Sequence, residues 1–113
     1  MKIDIRFRGL KPSASLREHV ARRIHFQLSR FGHEISSVMV RISDVNGPKG
    51  GLDKACQVMV RGDRLSGIVK DELSGDAYSS IDSAVERVGR AVGRELERVR
   101  SARAPVALTR RAS

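Results

Sequence analysis

Tryptophan is absent from the 113 residues, and aromatic side chains make up only 4% of them. Any stacking on nucleic-acid bases must therefore be sparse or be done by arginine planes. Cys56 is the only cysteine, so no intrachain disulfide can form, and a reduced cytoplasmic setting is the default. No apolar run reaches transmembrane length, and the opening MKIDIRFRG alternates like a strand instead of showing a secretory-signal pattern. No membrane partner is expected. Acids are also in short supply: 13 Asp and Glu stand against 22 Lys and Arg, a net charge of +9. That balance favours a polyanionic partner. The length suits one domain with one core.

The excess charge is unevenly placed. Ser13–Phe31 carries Arg17, Arg22, Arg23 and Arg30 against Glu18 alone. Ala84–Ser113 carries eight arginines against Glu86, Glu95 and Glu97. The two segments together hold eight of the nine net charges. Within the second lies the most regular stretch of the chain, Asp76–Arg100. Its apolar residues Tyr78, Ile81, Val85, Val88, Val92, Leu96 and Val99 are spaced alternately by three and four, as on one face of a helix. At about 100° per residue, Arg87, Arg90, Arg94 and Arg98 fall in a sector of roughly 80° opposite that stripe. Such a face is ordinarily only solvated, but solvated faces mix acids and bases at i,i+4, and this row contains no acid. Gly89 and Gly93 interrupt the same helix beside the buried stripe. Each costs about 1 kcal/mol against alanine, which points to close packing on a neighbour.

The remaining elements follow in chain order. Lys2–Arg8 alternates as a half-buried strand, with Ile3, Ile5 and Phe7 on one face. A first helix runs from about Ser13, the preferred N-cap, to Phe31, with Leu16, Val20, Ile24, Leu28 and Phe31 as its buried stripe. Gly32 is placed to end it as a C′ glycine. His19, Arg22, Arg23, Phe26 and Arg30 gather on one flank. Phe26 is the odd residue there, either a partly covered surface aromatic or a platform for an unstacked base.

Ile35–Ser43 reads as a second strand and Lys54–Arg61 as a third, with Cys56, Val58 and Val60 on one face. Cys56 is then a small core residue. The Asp44–Asp53 stretch between them is a loop lacking Walker spacing, with Lys49 near its tip. Leu65–Glu72 is a fourth strand, and Asp76 caps the long helix. SARAPVALTRRAS after Arg100 has no period and keeps Arg103, Arg110 and Arg111, so residues 101–113 read as a mobile basic tail. The order β-α-β-β-β-α implies an α+β fold: a four-stranded mixed sheet with the first two strands parallel and both helices on one face. That order is near that of double-stranded RNA-binding domains.

Catalysis is not indicated. His19, His25 and His33 form no metal-spaced cluster with Cys56, and no serine or acid sits in a nucleophile motif. No cofactor, metal or small-molecule substrate is implied. The basic helices point instead to shape-directed binding of structured RNA through bidentate arginine–phosphate contacts.

The sequence resembles the ribosome hibernation promoting factors, also called ribosome-associated inhibitor A or sigma-54 modulation proteins, over about Met1–Arg100. The resemblance rests on the opening strand, LREHV at Leu16–Val20, DVNGPKGGLDKAC at Asp44–Cys56, AYSSID at Ala77–Asp82 and the arginine-laced helix that follows. AYSSID is similar to the family's D-x-Y-x-A-I-D, with Ser80 in place of the usual alanine. The resemblance implies a non-enzymatic factor of stationary phase and stress that binds the small ribosomal subunit in its mRNA and tRNA channel. There it would contact 16S rRNA through both helices, block translation and protect idle ribosomes. Family basic positions match Arg87, Arg90 and Arg94, with Arg98 extending the row. Arg23 matches a common lysine, with Arg22 and Arg30 nearby. Phe26 stands where many members are polar. The dimerisation domain of long members is not in this chain, so a monomer off the ribosome is expected. Two other readings remain: a general double-stranded RNA-binding module, and a protein-interaction modulator of a transcription factor.

Overall fold

The computed structural model describes residues 1–45 and 52–112, and of residues 102–112 the backbone course alone. Lys49 and the glycines around it lie outside the described residues. The elements are β1 (Lys2–Arg8), α1 (Ala14–Leu28), a 3-10 turn at Ser29–Phe31, β2 (Ser37–Asp44), β3 (Lys54–Gly62), β4 (Leu65–Ser74) and α2 (Ala77–Ala112). The four strands form one sheet in the order β1-β2-β3-β4. β1 and β2 are parallel, and the other two pairings are antiparallel. This is the expected α+β architecture.

The pleat sorts the strands. Val38, Val40 and Ile42 of β2 lie opposite Val60, Val58 and Cys56 of β3, and all are buried. They pack with Leu16, Val20, Ile24 and Leu28 of α1 and Ile81, Ala84, Val85, Val88, Val92 and Leu96 of α2 in one core. Both helices therefore cover the same face of the sheet. The opposite face carries Met39, Met59 and Val69 in one row and Arg41, Gln57 and Asp71 in the next, where Gln57 donates to Asp71 at 3.0 Å.

Of the expected apolar stripes, Ile3 and Tyr78 are exposed, and Ile5, Phe7 and Phe31 are only partly buried against the core. Ile3 is 38% exposed because β1 is an edge strand, so its helix-facing side is covered only at one end. Tyr78 is 39% exposed and meets the edge of His19, with ring centroids 5.0 Å apart. Val99 is half-buried.

The helix ends follow local chemistry. Ser13 Oγ accepts from the Leu16 amide at 3.2 Å, and Asp76 accepts from the Ser79 amide at 3.1 Å. Gly32 does not act as a left-handed C′ residue, since its φ is −54°. The chain tightens into the 3-10 turn instead, where the Gly32 amide donates to the Ser29 carbonyl at 3.0 Å. α2 continues past the expected end at Arg100 to Ala112. Ser101-Ala102-Arg103-Ala104 are adequate helix formers and need no apolar period to extend a helix already begun. Ser80, fully buried, donates its hydroxyl to the Ala77 carbonyl at 2.9 Å, so a polar atom replaces a methyl without being orphaned.

Asp53 is the other buried polar residue among the described residues, at 4% exposure, and Lys54 Nζ donates to it at 2.9 Å. That hydrogen bond is the main cause holding the Lys54 ammonium above its ordinary range, with Asp44 adding to it. At Gly62, a β-bulge lets the backbone press on the segment leading into β2. A Cβ there would stand 1.8 Å from the Glu34 carbonyl oxygen. Gly67 has a φ of +86° but open space around it. Gly62→Ala should therefore destabilise by about 3 kcal/mol, and Gly67→Ala by about 1 kcal/mol, in urea unfolding. Equal losses would refute the close contact.

Burial pushes the Cys56 thiol up to about 12, with the Asp71 charge adding to it. The unfolded thiol ionises nearer 9.0, so the unfolded state gains as pH rises from there towards 12. Alkylation at pH 8 should leave the native protein unmodified and modify it fully in denaturant. Stability measured in urea should be unaffected by this group below pH 9 and fall above it.

Candidate nucleic-acid interface

α1 and α2 pack side by side, and the sequence lets them come close where α2 has no side chains. A Cβ on Gly89 would stand 3.0 Å from Gln27 Oε1, and one on Gly93 would stand 3.4 Å from Phe31 Cζ. At the other end of the contact, His19 Nε2 lies 2.6 Å from Asp82 Oδ1. Arg23 Nε lies 3.4 Å from the same oxygen, outside good hydrogen-bond geometry. Asp82 therefore works mainly as a tie between the helices. Its place in the first turns of α2 also suits a carboxylate.

The seven candidate arginines do not form one uniform surface. Arg30, Arg90 and Arg94 converge on an open groove of about 570 Å³ between the helices, which Arg100 also lines. Phe31, Gly89, Gly93 and Leu96 form its apolar part, with Glu97 beside them. Arg87 leans the other way, donating to Glu72 of β4 at 2.7 Å. Arg98 faces the same side and pairs with Glu95. Arg90 pairs with Glu86. Arg94 lines both the inter-helix groove and the smaller hollow over β4. Among the described residues it has no ion pair.

The row that contains no acid is thus flanked by acids, because residues one or three positions away lie at its margins and β4 supplies another. These exposed pairs are weak. Arg23 departs furthest from expectation. Its side chain is turned into the helix junction and only partly exposed. Arg22 is exposed and makes no ion pair among the described residues. Phe26 is 74% exposed, and its one ring contact is the Arg23 guanidinium, 5.5 Å from the centroid. The sequence reading missed the groove itself, though the Gly89–Gly93 spacing was the signal for it. It also missed the pairing of Arg30 with Phe31, whose ring centroid lies 4.7 Å from the guanidinium carbon.

Among the described residues no three His, Cys, Asp or Glu side chains come together as a metal site, and no helix is long and apolar enough to cross a membrane. The family model for Sigma 54 modulation protein / S30EA ribosomal protein matches residues 3–100. The chain belongs to that family. It is a non-enzymatic, ribosome-associated modulation and hibernation factor by membership.

Its fold is shared by a ribosomal subunit interface protein from Coxiella burnetii, with a TM-score of 0.70 at 23% identity. That match covers 83% of this chain and 96% of the other. The N-terminal domain of Protein Y from Thermus thermophilus gives a TM-score of 0.67 at 21% identity, covering 83% and 98%. Comparison with curated protein sequences gives no match.

Asp82→Ala removes the acceptor of His19 and the partner of Arg23 while leaving every other candidate arginine in place. It should cost about 1 kcal/mol of stability, since the site is half open to solvent. Urea unfolding of Asp82→Ala, His19→Ala and the double variant should show clear non-additivity. Additive losses would remove the tie.

Proposed function

We propose that this chain binds the small ribosomal subunit through the outer faces of α1 and α2, contacts 16S rRNA in the mRNA and tRNA channel, and silences idle ribosomes. The observation that carries this reading is the convergence of Arg30, Arg90 and Arg94 from two helices on one groove, continued by Arg87 and Arg98 along α2. Arginine forks grip phosphate bidentately, and each phosphate neutralised releases counterions. Arg22 extends the contact along α1, and Arg23 supports it by fixing the helix junction. Phe26 offers a bare ring to an unstacked base. The protein acts in the cytoplasm as a monomer off the ribosome, with no cofactor or metal. Membership of a ribosome-associated family and a fold shared with a ribosomal subunit interface protein support the choice of partner.

The test is co-sedimentation with 30S, 50S and 70S particles across a salt series. Wild type should saturate 30S and 70S near one per particle. The variant with Arg87, Arg90, Arg94 and Arg98 all changed to Ala should lose that binding, and its log–log salt slope should shrink by about 3 units. Equal binding to 50S and to free duplex RNA would replace this reading with a general RNA-binding module.

A further inference from the structure

The inter-helix groove differs from the rest of the basic face in having an apolar floor. Its volume of about 570 Å³ lies within the range of small-ligand sites, about 300–1,000 Å³. Gly89 and Gly93 bare the backbone of α2, and Phe31 and Leu96 supply hydrocarbon. The guanidinium of Arg30 lies over the Phe31 ring at 4.7 Å, so one wall is a cation set against an aromatic face. Arg90, Arg94 and Arg100 stand around the rim, with Glu97 as the only acid among the lining residues. Arg94 and Arg100 have no ion pair among the described residues, so their guanidinium donors are available.

A duplex backbone would use the arginines and leave this floor wet. A flat heterocycle carrying a phosphate would use both. From this we infer that the groove binds a single unstacked nucleotide, its base against the Arg30–Phe31 wall and the Gly93 backbone and its phosphate on Arg94 and Arg100. The inference rests on reading the helix face as RNA-binding. The groove recognises the same base and phosphate whether the nucleotide is held in an RNA strand or free in solution.

The mechanism follows from the parts. Base stacking on an aromatic or guanidinium plane contributes about 1–3 kcal/mol and tolerates sequence. A phosphate on the Arg94 and Arg100 guanidiniums adds charge-assisted hydrogen bonds. A side chain at 93 would occupy the floor without altering the charge. Glycine there thus serves two purposes, helix contact at Phe31 and an open seat above it.

The experiment is an amide and aromatic NMR titration of the wild-type chain with adenosine monophosphate, inorganic phosphate, a single-stranded hexaadenylate and an A-form duplex at matched ionic strength. Hexaadenylate should shift the Gly89 and Gly93 amides and the Phe31 ring, with a Kd at least about tenfold below that of the duplex. Saturation of the same signals by adenosine monophosphate assigns the groove to a free nucleotide. Shifts with hexaadenylate alone assign it to an RNA strand. Inorganic phosphate moving these signals as far as the nucleotides, or no shift at Gly89 and Gly93 with any nucleotide, would overturn the inference.

Gly93→Leu should weaken hexaadenylate binding by about tenfold with every charge intact. If Gly93→Leu fails to fold, Arg100→Glu, an exposed change at the rim, should give a similar loss. Unchanged affinity in the folded variant overturns the inference too. Wild type that binds 30S but shows no nucleotide shifts removes the groove and keeps the ribosome reading. Nucleotide shifts without 30S binding do the reverse.

Discussion

The approach of α1 to α2 across Gly89 and Gly93 is the contact on which the rest of the basic face depends. Two glycines inside a helix cost about 2 kcal/mol together against alanine. What offsets them is the seating of Gln27 and Phe31 against bare backbone, which draws the C-terminal end of α1 alongside α2. Side chains at those positions would press on Gln27 and fill the space beside Phe31. The groove is a consequence of this packing more than of the arginines that rim it.

The sheet supplies the platform for that contact. The antiparallel register sets Val38, Val40 and Ile42 against Val60, Val58 and Cys56, and a slip by one residue would turn this whole row to the open face. Gly62 locks the register from the end by letting its backbone press on Glu34. Asp82 fixes the opposite end of the helix pair through His19 and Arg23. The site is thus held by the sheet beneath, by a charged tie at one end and by a glycine contact at the other.

Electrostatics on this face are graded. Arg87, Arg90 and Arg98 are each paired with a glutamate, whereas Arg94 has no such pair among the described residues. Exposed pairs of this kind contribute little to stability and are screened by salt. They keep the side chains extended along the surface without neutralising the face, because the acids sit at its margins. The family's non-enzymatic character fits a face built of geometry and charge.

Element type and order were legible in the sequence because alternation and the three-four spacing are local signals. Lys2–Arg8 as a strand, Ser13 and Asp76 as caps, and the buried rows of β2, β3 and α2 all follow from neighbours within a few residues. The concentration of arginine on one side of α2 was legible for the same reason. What the sequence left open depended on partners far along the chain. It could not show that Ile3 lies at an uncovered edge, that Arg23 turns inward to Asp82, or that Glu72 of β4 reaches Arg87. Nor could it join Arg30 to Arg90 and Arg94 around a common floor. Periodicity determines which face of a helix is buried, and only the packing of one helix against another decides which exposed residues meet.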